Sequence, residues 1–464
     1  MNDVEYDKSS VKEIFEFAAK LVGRSLEDAT ELPADVINSR NRGDLGRLVE
    51  KYYFKHNPPN NHRPDFELAG VELKTTGVEY YKKKTSKGEV LKAKERLVLT
   101  NINFQTLRHE SWYESSLLEK CNLMLILFYE YNKSIPVIEQ EFVFQPLLIK
   151  LSGRAQSVYE QEIAFVDKYA FEIPESDLAQ IRRDWEFIRN KVAENKAHEL
   201  SEGDTYYLGA CRKGPGGEGE SLRKQEGDAP GAKSRAFSLK QGYLSKLLQT
   251  HTRREAFIGV DSTETFESAT SKHFQSYLGL TLDEIASKLE YDTKSKQRKW
   301  YLSKRILAGN GSDISELVKA DILLKTVSLT QSGKGREDMS FPAFKYLEIM
   351  RQEWEESDFS EQIEKRFLFV VFQADKDGVD RLVKTQYWNM PYEDRLEARR
   401  VWEETKLRVG IDARNLPGKK ESEVSHVRPH ARNRKDVDVT PQNELLVKKC
   451  FWLDMKYIAK IVSQ

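Results

Sequence analysis

The pattern of apolar and polar positions predicts helices and strands along the whole chain. Helical spacing of apolar residues occurs in four segments: Phe15–Leu21, Asp177–Val192, Glu393–Leu407 and Lys448–Val462. Apolar runs of strand length occur in three others: Val71–Thr75, Arg96–Phe104 and Leu123–Tyr129. The last run is apolar on both faces, which is typical of a strand in the middle of a sheet. The pattern therefore predicts an α/β (α+β) fold around a mixed sheet.

The same pattern occurs twice. Leu118–Phe128 resembles Ile363–Phe372, and Phe237–Leu248 matches Phe451–Val462 at every apolar position. Trp185 and Trp402 also lie in similar helical segments. Chance similarity between two α/β domains is the alternative, but the similar blocks follow one another in the same order. We therefore predict a duplicated chain, with a first domain at residues 1–250, a linker at 251–266 and a second domain at 267–464.

Asp65, Glu72 and Lys74 are the candidate catalytic group. They form an Asp-x6-Glu-x-Lys pattern, and on a strand the side chains of Glu72 and Lys74 lie on the same face. Carboxylates gathered at a strand edge are costly to bury unpaired, whereas they are the oxygen ligands that a divalent cation prefers. Lys74 could then orient the attacking water or help to deprotonate it. The pattern predicts metal-assisted cleavage of a phosphodiester.

Two observations bear on this prediction. The Glu-x-Lys core also occurs at Glu194–Lys196 and Glu404–Lys406, in segments with a helical pattern, so a solvated strand face with an ion pair is the alternative. In the second domain, Lys325 matches Lys74, but Leu323 stands where Glu72 stands and Glu316 roughly takes the place of Asp65. A leucine cannot bind a metal, so we predict that the second domain is catalytically degenerate.

Composition adds few constraints. The 464 residues include 74 basic and 74 acidic side chains, and this balance leaves open whether basic residues cluster on one DNA-binding face. The three cysteines lie far apart, which predicts a reducing compartment and no zinc or disulfide framework. The longest apolar run, Leu123–Tyr129, is too short to cross a membrane. With no signal peptide visible, we expect a cytoplasmic protein without a membrane partner.

The candidate catalytic residues and several further motifs resemble those of the MutH group of PD-(D/E)xK nucleases. The motifs that carry the resemblance are Arg47–Glu50, Asp65 with Glu72–Lys74, Lys120 before its strand, Arg183–Glu186 and Arg235–Lys240. The duplicated layout is still more similar to the Sau-three-A-I type of restriction endonuclease, which has one catalytic and one non-catalytic MutH-like domain. Segments similar to that type include Ala197–Gly203 and His426–His430. The resemblance covers nearly the whole chain.

The resemblance implies a type II restriction endonuclease that requires Mg²⁺ and makes double-strand cuts at GATC. It implies that Asp65 and Glu72 bind the metal, with Glu50 as a further acidic ligand, and that Lys74 and Lys120 flank the nucleophilic water and the scissile phosphate. From the residues alone, Glu50 and Lys120 would be an ordinary surface acid and an ordinary strand-end lysine. The second domain would bind a second site as an effector.

Candidate DNA-binding residues lie in both domains. Arg212 and Lys213 precede a Gly-rich, charged segment and could donate to phosphate or to guanine, while the family uses the segment of Ser238 and Lys240 at the groove. In the second domain, a basic run suits phosphate or base contact, and its arginines are Arg428, Arg432 and Arg434. Solvated loops are the alternative in both places. His426 and His430 are disfavoured as metal ligands because Pro429 separates them and acidic partners are absent.

The implied partners are double-stranded DNA containing GATC and a cognate methyltransferase that acts on the same sites. A DNA-induced dimer or a looped complex of two sites would follow from a second binding domain. Two other functions remain open. A mismatch-repair nicking enzyme would need only one domain, and a non-cleaving reader of GATC or of its methylation would not need an intact Asp65, Glu72 and Lys74.

Overall fold

The computed structural model describes residues 6–37, 45–56, 63–82, 89–151, 160–214, 222–253, 266–308, 315–431 and 433–463. We call residues 6–253 the first half and residues 266–463 the second half. The predicted mixed α+β fold is confirmed. Within the described residues, no helix is long and apolar enough to span a membrane.

The first half contains eight strands among its described residues: β1 Val71–Lys82, β2 Glu89–Ala93, β3 Leu97–Asn101, β4 Leu123–Glu130, β5 Leu147–Lys150, β6 Phe171–Glu172, β7 Leu208–Arg212 and β8 Arg235–Leu239. Its described helices are α1 Val11–Ala19, α2 Leu26–Ala29, α3 Ala34–Ile37, α4 Leu45–Leu48, α5 Phe104–Leu107, α6 Ser116–Cys121, α7 Glu160–Tyr169, α8 Glu175–Ala193 and α9 Gln241–Arg253. A π-helical turn, Val49–Tyr53, continues α4.

The second half contains β9 Leu323–Leu329, β10 Met339–Ala343, β11 Phe367–Ala374, β12 Asp380–Trp388, β13 Ser425–Pro429, β14 Val437–Val439, β15 Leu445–Val447 and β16 Lys449–Leu453. Its described helices are α10 Phe266–Gln275, α11 Leu282–Lys288, α12 Arg298–Ala308, α13 Ser315–Lys319, α14 Tyr346–Ile349, α15 Asp358–Glu364, α16 Tyr392–Ile411 and α17 Met455–Ser463.

Each half pairs a mixed sheet with a three-stranded antiparallel sheet. In the first half the strand orders are β2-β1-β4-β5-β6 and β3-β8-β7, and β1 runs parallel to β4. In the second half they are β12-β11-β9 and β10-β16-β13, and β9 runs parallel to β11. The orders coincide when β9, β11 and β12 are set against β1, β4 and β5, and β10, β16 and β13 against β3, β8 and β7. One supersecondary arrangement therefore occurs twice.

The predicted central strand is β4, in which every residue except Glu130 is buried. The predicted helix at Lys448–Val462 is wrong in its first part, because Lys449–Leu453 forms β16 and the helix begins at Met455. Asp454 separates the two elements, since its carboxylate accepts the backbone N–H of Lys456 at the start of α17. Apolar residues on this short strand also suit the spacing of a helical face.

The two halves pack closely against each other. One hydrophobic cluster contains Met124 and Ile126 of β4 together with Ile322 and Leu368 of the second half. A Cβ atom at Gly242 would lie 1.8 Å from the carbonyl oxygen of Val318, so the backbones approach closely enough there to require glycine. The two arrangements thus share a core. The predicted boundary at residue 250 falls inside α9, and residues 254–265 of the predicted linker lie outside the described part of the chain.

Candidate active site

The site is built where a loop folds back over the start of β1. Gly70 has a φ of 68°, a left-handed conformation that glycine adopts readily, and it turns the chain from Asp65 into the strand. The backbone N–H of Asp65 donates to Glu72 Oε2 at 3.1 Å, and Asp65 Oδ2 accepts the N–H of Leu73 at 2.9 Å. The two carboxylates are therefore held together by backbone hydrogen bonds.

Two lysines converge on Glu72. Lys74 Nζ lies 2.6 Å from Glu72 Oε1 and donates to the carbonyl of Leu99 at 3.0 Å. Lys120, at the end of α6, places its Nζ 3.4 Å from Glu72 Oε2 and donates to the carbonyl of Arg63 at 3.1 Å. The Glu72 side chain is only 2% exposed, whereas both lysines are 16% exposed. The alternative of a solvated strand face therefore does not hold.

Glu50 faces the same cluster from the π-helical turn after α4. Burial, followed by the charge of Asp65, raises the pKa of Glu50 to about 7, against the opposing influence of Lys74. The structure thus brings Glu50, Asp65, Glu72, Lys74 and Lys120 into one electrostatically coupled group.

Burial also raises the pKa of Glu72 to about 7, although Lys74 acts in the opposite direction. For Lys74 the balance differs: burial disfavours its charge, but Cys121 and Glu72 outweigh this and raise its pKa to about 12. Lys74 therefore carries a proton at neutral pH. It suits orienting a water or stabilising developing negative charge better than removing a proton.

The donor set suits a hard divalent cation. Three carboxylates converge, and two of them have a raised pKa because burial and a like charge disfavour ionisation, a cost that a bound cation would offset. Within the described residues, no group of three acidic, histidine or cysteine side chains already stands at coordination distance. The carboxylate oxygens of Glu72 instead form ion pairs with Lys74 and Lys120 and accept a hydrogen bond from the Asp65 N–H.

The second half keeps the lysine without the carboxylate. Leu323 and Lys325 occupy β9 with the spacing of Glu72 and Lys74 on β1. Lys325 Nζ donates to the carbonyl of Ser340 on β10 at 3.4 Å, much as Lys74 donates to Leu99 on β3. Glu316 lies in α13, and its side chain is outside the described part.

Several predicted DNA-binding residues are buried between the halves. Ser238 is fully buried on β8, the middle strand of its sheet, and Lys240 is 3% exposed. Lys240 Nζ donates to the carbonyl of Thr205 and, at 3.4 Å, to that of Ala320 in the second half. Strand pairing and the second half cover most of both side chains. Their contact with DNA stays a prediction.

Arg212 is also engaged with the second half. Its guanidinium forms ion pairs with Glu364 and, at 3.8 Å, with Glu355, and burial lowers its pKa to about 10. Lys213, the next residue, is exposed. DNA could reach Lys213 directly, whereas Arg212 would have to leave its carboxylates first.

In the second half, Arg428 and Arg434 are exposed, and Arg432 lies outside the described residues. Arg428 pairs with the buried Asp338 and lies over the ring of Trp452, with its guanidinium carbon 5.4 Å from the ring centre. His426 is fully buried, 3.4 Å from Asp338, and no metal-ligand group forms around it within the described residues.

The sequence reasoning assigned no role to Asp184, although it lies in the Arg183–Glu186 motif. Its buried carboxylate accepts the backbone N–H groups of Tyr206, Tyr207 and Leu208. These residues lead into β7, which ends at Arg212. Asp184 therefore fixes the strand from which the basic loop departs. The acidic residue beside Trp185, in an otherwise amphipathic helix, is the sequence feature that could have indicated this role.

A cavity of about 700 Å³ opens beside Lys74 between the two halves. The first half lines it with Thr75, Arg96 and Lys240, and the second half contributes acidic side chains, among them Glu355 and Glu361. The candidate site therefore faces the second half across a polar space.

Comparison with known proteins agrees with the motifs. Residues 54–162, which contain most of the site, match the family model of the DNA mismatch repair enzyme MutH. The chain is 30% identical over 505 residues to the type II restriction enzyme Sau3AI of Staphylococcus aureus, and the match covers 96% of this chain and 97% of that protein. The predicted resemblance is confirmed. The chain belongs to the MutH-like nucleases of the Sau3AI type and is a type II site-specific deoxyribonuclease.

Proposed function

We propose that the first half makes Mg²⁺-dependent double-strand cuts at GATC sites, with Asp65, Glu72 and Glu50 holding the metal. The observation that carries this proposal is the convergence of Lys74 and Lys120 on the buried Glu72, 2.6 Å and 3.4 Å from its two oxygens. A similar protein is named a type II restriction enzyme. The GATC specificity comes from the resemblance of the motifs to the family.

Each residue would have a distinct role. A bound divalent cation supplies Lewis acidity and lowers the pKa of a bound water. Lys74, anchored by the Leu99 carbonyl, would orient the attacking water and stabilise charge on the scissile phosphate. Lys120 is exposed enough to contact the same phosphate while it remains beside Glu72. Hydrogen bonds between the Asp65 loop and β1 keep the carboxylates in place.

Digestion of a sequenced plasmid, in Mg²⁺ and in EDTA, tests this function. We expect double-strand breaks only with Mg²⁺, and fragment ends that all map to GATC. Nicked circles as the final product would indicate a nicking enzyme, and an uncut but bound plasmid would indicate a reader. Ends at other sequences would contradict the proposed specificity.

We further propose that the second half binds another GATC site and stimulates cutting by the first. The second half repeats the strand arrangement of the nuclease, lacks the carboxylate at Leu323, and exposes Arg428 and Arg434. Such coupling between two binding events would act in a DNA-induced dimer or in a looped complex. A cognate methyltransferase would act on the same sites, in the cytoplasm.

Plasmids with one and with two GATC sites distinguish coupled from independent cutting. Because occupancy of the second half would favour the cutting form, we expect a faster rate per site on the two-site plasmid, and we expect a separate GATC duplex to stimulate cutting of the one-site plasmid. Equal rates per site, with no response to added duplex, would rule out the coupling.

The affinity of the site for Mg²⁺ should depend on pH. Burial raises the pKa of Glu50 and of Glu72 to about 7, so below that pH a bound Mg²⁺ must displace protons, whereas above it the carboxylates are already ionised. We expect the Mg²⁺ affinity, measured by calorimetry without DNA, to rise about tenfold per unit of pH for each proton displaced, up to neutrality. An affinity independent of pH across this range would contradict the assignment of these ligands.

A further inference from the structure

The second half contains a cavity of about 630 Å³ in the place that corresponds to the active site. It lies against β9 and β10, as the candidate active site lies against β1 and β3, and α12 forms another wall. Lys325 lines it, together with the polar side chains of Thr326, Ser328 and Ser340.

Lys325 lacks the partner that Lys74 has. Lys74 has Glu72 at 2.6 Å, whereas among the described residues Lys325 forms no ion pair: it donates to the Ser340 carbonyl at 3.4 Å and lies over the Phe341 ring, 5.4 Å from its centre. Burial lowers the pKa of Lys325, since no carboxylate offsets it. An ammonium group in this position is stabilised by an anion.

Three further basic side chains line the cavity, and two of them are already paired with acids. Lys296, Arg298 and Lys299 line the same cavity. The Arg298 guanidinium forms ion pairs with Asp283 and Asp292, each at 2.7 Å. Lys299 Nζ lies 2.7 Å from the Asp380 carboxylate and donates to Ser328 Oγ at 2.7 Å. These two cations are thus fixed in place, and the exposed Lys296 stands beside them.

Two acids, Glu337 and Asp338, also line the cavity. Asp338 is already paired with Lys419 at 2.6 Å and with Arg428, and Glu337 is exposed to solvent. Arg428 extends the basic surface away from the cavity and over Trp452. Ser340, whose carbonyl accepts from Lys325, is paired with Trp452 across β10 and β16, and Arg428 lies over that tryptophan.

Two of the three carboxylate positions have changed. Leu323 replaces Glu72 on the strand. On the helix, the buried residues Leu302 and Ile306 of α12 match Val49 and Tyr53 around Glu50, which puts the fully buried Ser303 at the position of Glu50. Loss of these charges, with the lysine retained, turns a cation site into an anion site.

We propose that this cavity holds one backbone phosphate of DNA, bound by Lys325 and the neighbouring cations and out of reach of any hydrolytic group. This rests on the proposed binding of DNA by the second half and locates the contact. The chemistry recognised is a phosphate group, which a free phosphate ligand would share. In the cavity the phosphate would take the place that the scissile phosphate takes in the first half.

Lysine footprinting of the whole, unmodified chain tests the contact. Acetylation of lysines is measured by mass spectrometry in EDTA, with and without a GATC duplex. We expect the duplex to reduce modification of Lys325 several-fold, and to leave unchanged that of Lys376, an exposed lysine at the β11–β12 turn that does not line the cavity. Equal modification of Lys325 with and without DNA would overturn the proposal.

A variant distinguishes a direct contact between Lys325 and a phosphate from simple shielding of Lys325 by bound DNA. Lys325→Met is expected to reduce the slope of log binding constant against log salt by about 0.9, the value for one phosphate contact, while Lys376→Met leaves the slope unchanged. An unchanged slope in Lys325→Met would overturn the proposal even if DNA protects the lysine. The variant should unfold at nearly the same temperature as the wild type, because it removes a partly buried charge that forms no ion pair among the described residues, while methionine keeps the contact with the Phe341 ring.

Inorganic phosphate identifies the source of the anion. If phosphate raises the unfolding temperature of the wild type but not of Lys325→Met, while the DNA slope is unaffected, the cavity serves a free ligand and the DNA contact is wrong. Plasmid digestion is independent of these measurements. Failure to cut at GATC with Lys325 still protected would refute the proposed function and leave the phosphate site standing.

Discussion

Replacing Glu72 by glutamine is expected to lower the rate of Mg²⁺-dependent cleavage by about a thousandfold or more while DNA binding in EDTA persists. The substitution keeps the shape of a side chain that is 2% exposed and removes the charge that would hold the cation. Metal stabilisation of the transition state is worth several kcal/mol, which corresponds to this loss in rate. Single-turnover cleavage of a GATC duplex and anisotropy of the same duplex measure the two quantities.

The chain supplies a matched control. Glu194 also stands two residues before a lysine, and it pairs with Lys196 at 3.0 Å, but its side chain is 57% exposed and far from β1 in sequence. Glu194→Gln should cut at the wild-type rate. The Glu72 variant should fold, because glutamine keeps the shape of the side chain and an oxygen that can accept the hydrogen bond of Lys74. Undiminished cutting by Glu72→Gln would refute the assigned site.

Replacing Asp177 by alanine is expected to destabilise the protein by about 3–5 kcal/mol. Asp177 on α8 and Lys319 on α13 join the two halves, with Lys319 Nζ 3.1 Å and 3.2 Å from the carboxylate oxygens. Their side chains are 4% and 2% exposed. Removal of the acid alone leaves the buried Lys319 ammonium without this carboxylate. Breaking a buried ion pair from one side is strongly destabilising. Urea unfolding, followed by fluorescence, measures the change.

Two variants accompany this measurement. Asp167→Ala removes an acid that pairs with Lys150 at 3.0 Å but is 53% exposed, and we expect a loss of at most about 1 kcal/mol. The double variant Asp177→Leu with Lys319→Met should recover most of the stability, because apolar side chains can replace a buried ion pair. A loss for Asp177→Ala as small as that for Asp167→Ala would show that this pair does not hold the halves together.

The parts of the fold set by local pattern could be predicted from sequence. An unbroken apolar run marked β4, and strand alternation placed Glu72 and Lys74 on one face. The approach of Lys120 to Glu72 could not be derived from spacing, since it depends on how α6 meets β1 and β4. Only the resemblance to the family pointed to it.

Two kinds of feature could not be predicted from local pattern: contacts between the halves, and the period of β16. Ser238 and Lys240 were expected at the DNA groove, yet the carbonyl of Ala320, 80 residues away, accepts a hydrogen bond from Lys240. No local pattern reports such a contact. Arg212 was expected at DNA from its charge and its position before the Gly-rich segment, and its partners Glu355 and Glu364 come from the second half. The β16 strand was taken for a helix because its apolar positions suit both periods.

We propose that the chain has one cutting centre, located in the first half. Iron-directed cleavage locates a metal most directly: Fe²⁺ replaces Mg²⁺ in the presence of ascorbate and peroxide, and radicals cut the polypeptide next to the bound ion. We expect fragments that end near Glu50 and between Asp65 and Glu72, none near Leu323, and no fragments at these positions in the Glu72→Gln variant. Fragments that end near Leu323, or cleavage that persists unchanged in the variant, would contradict the claim.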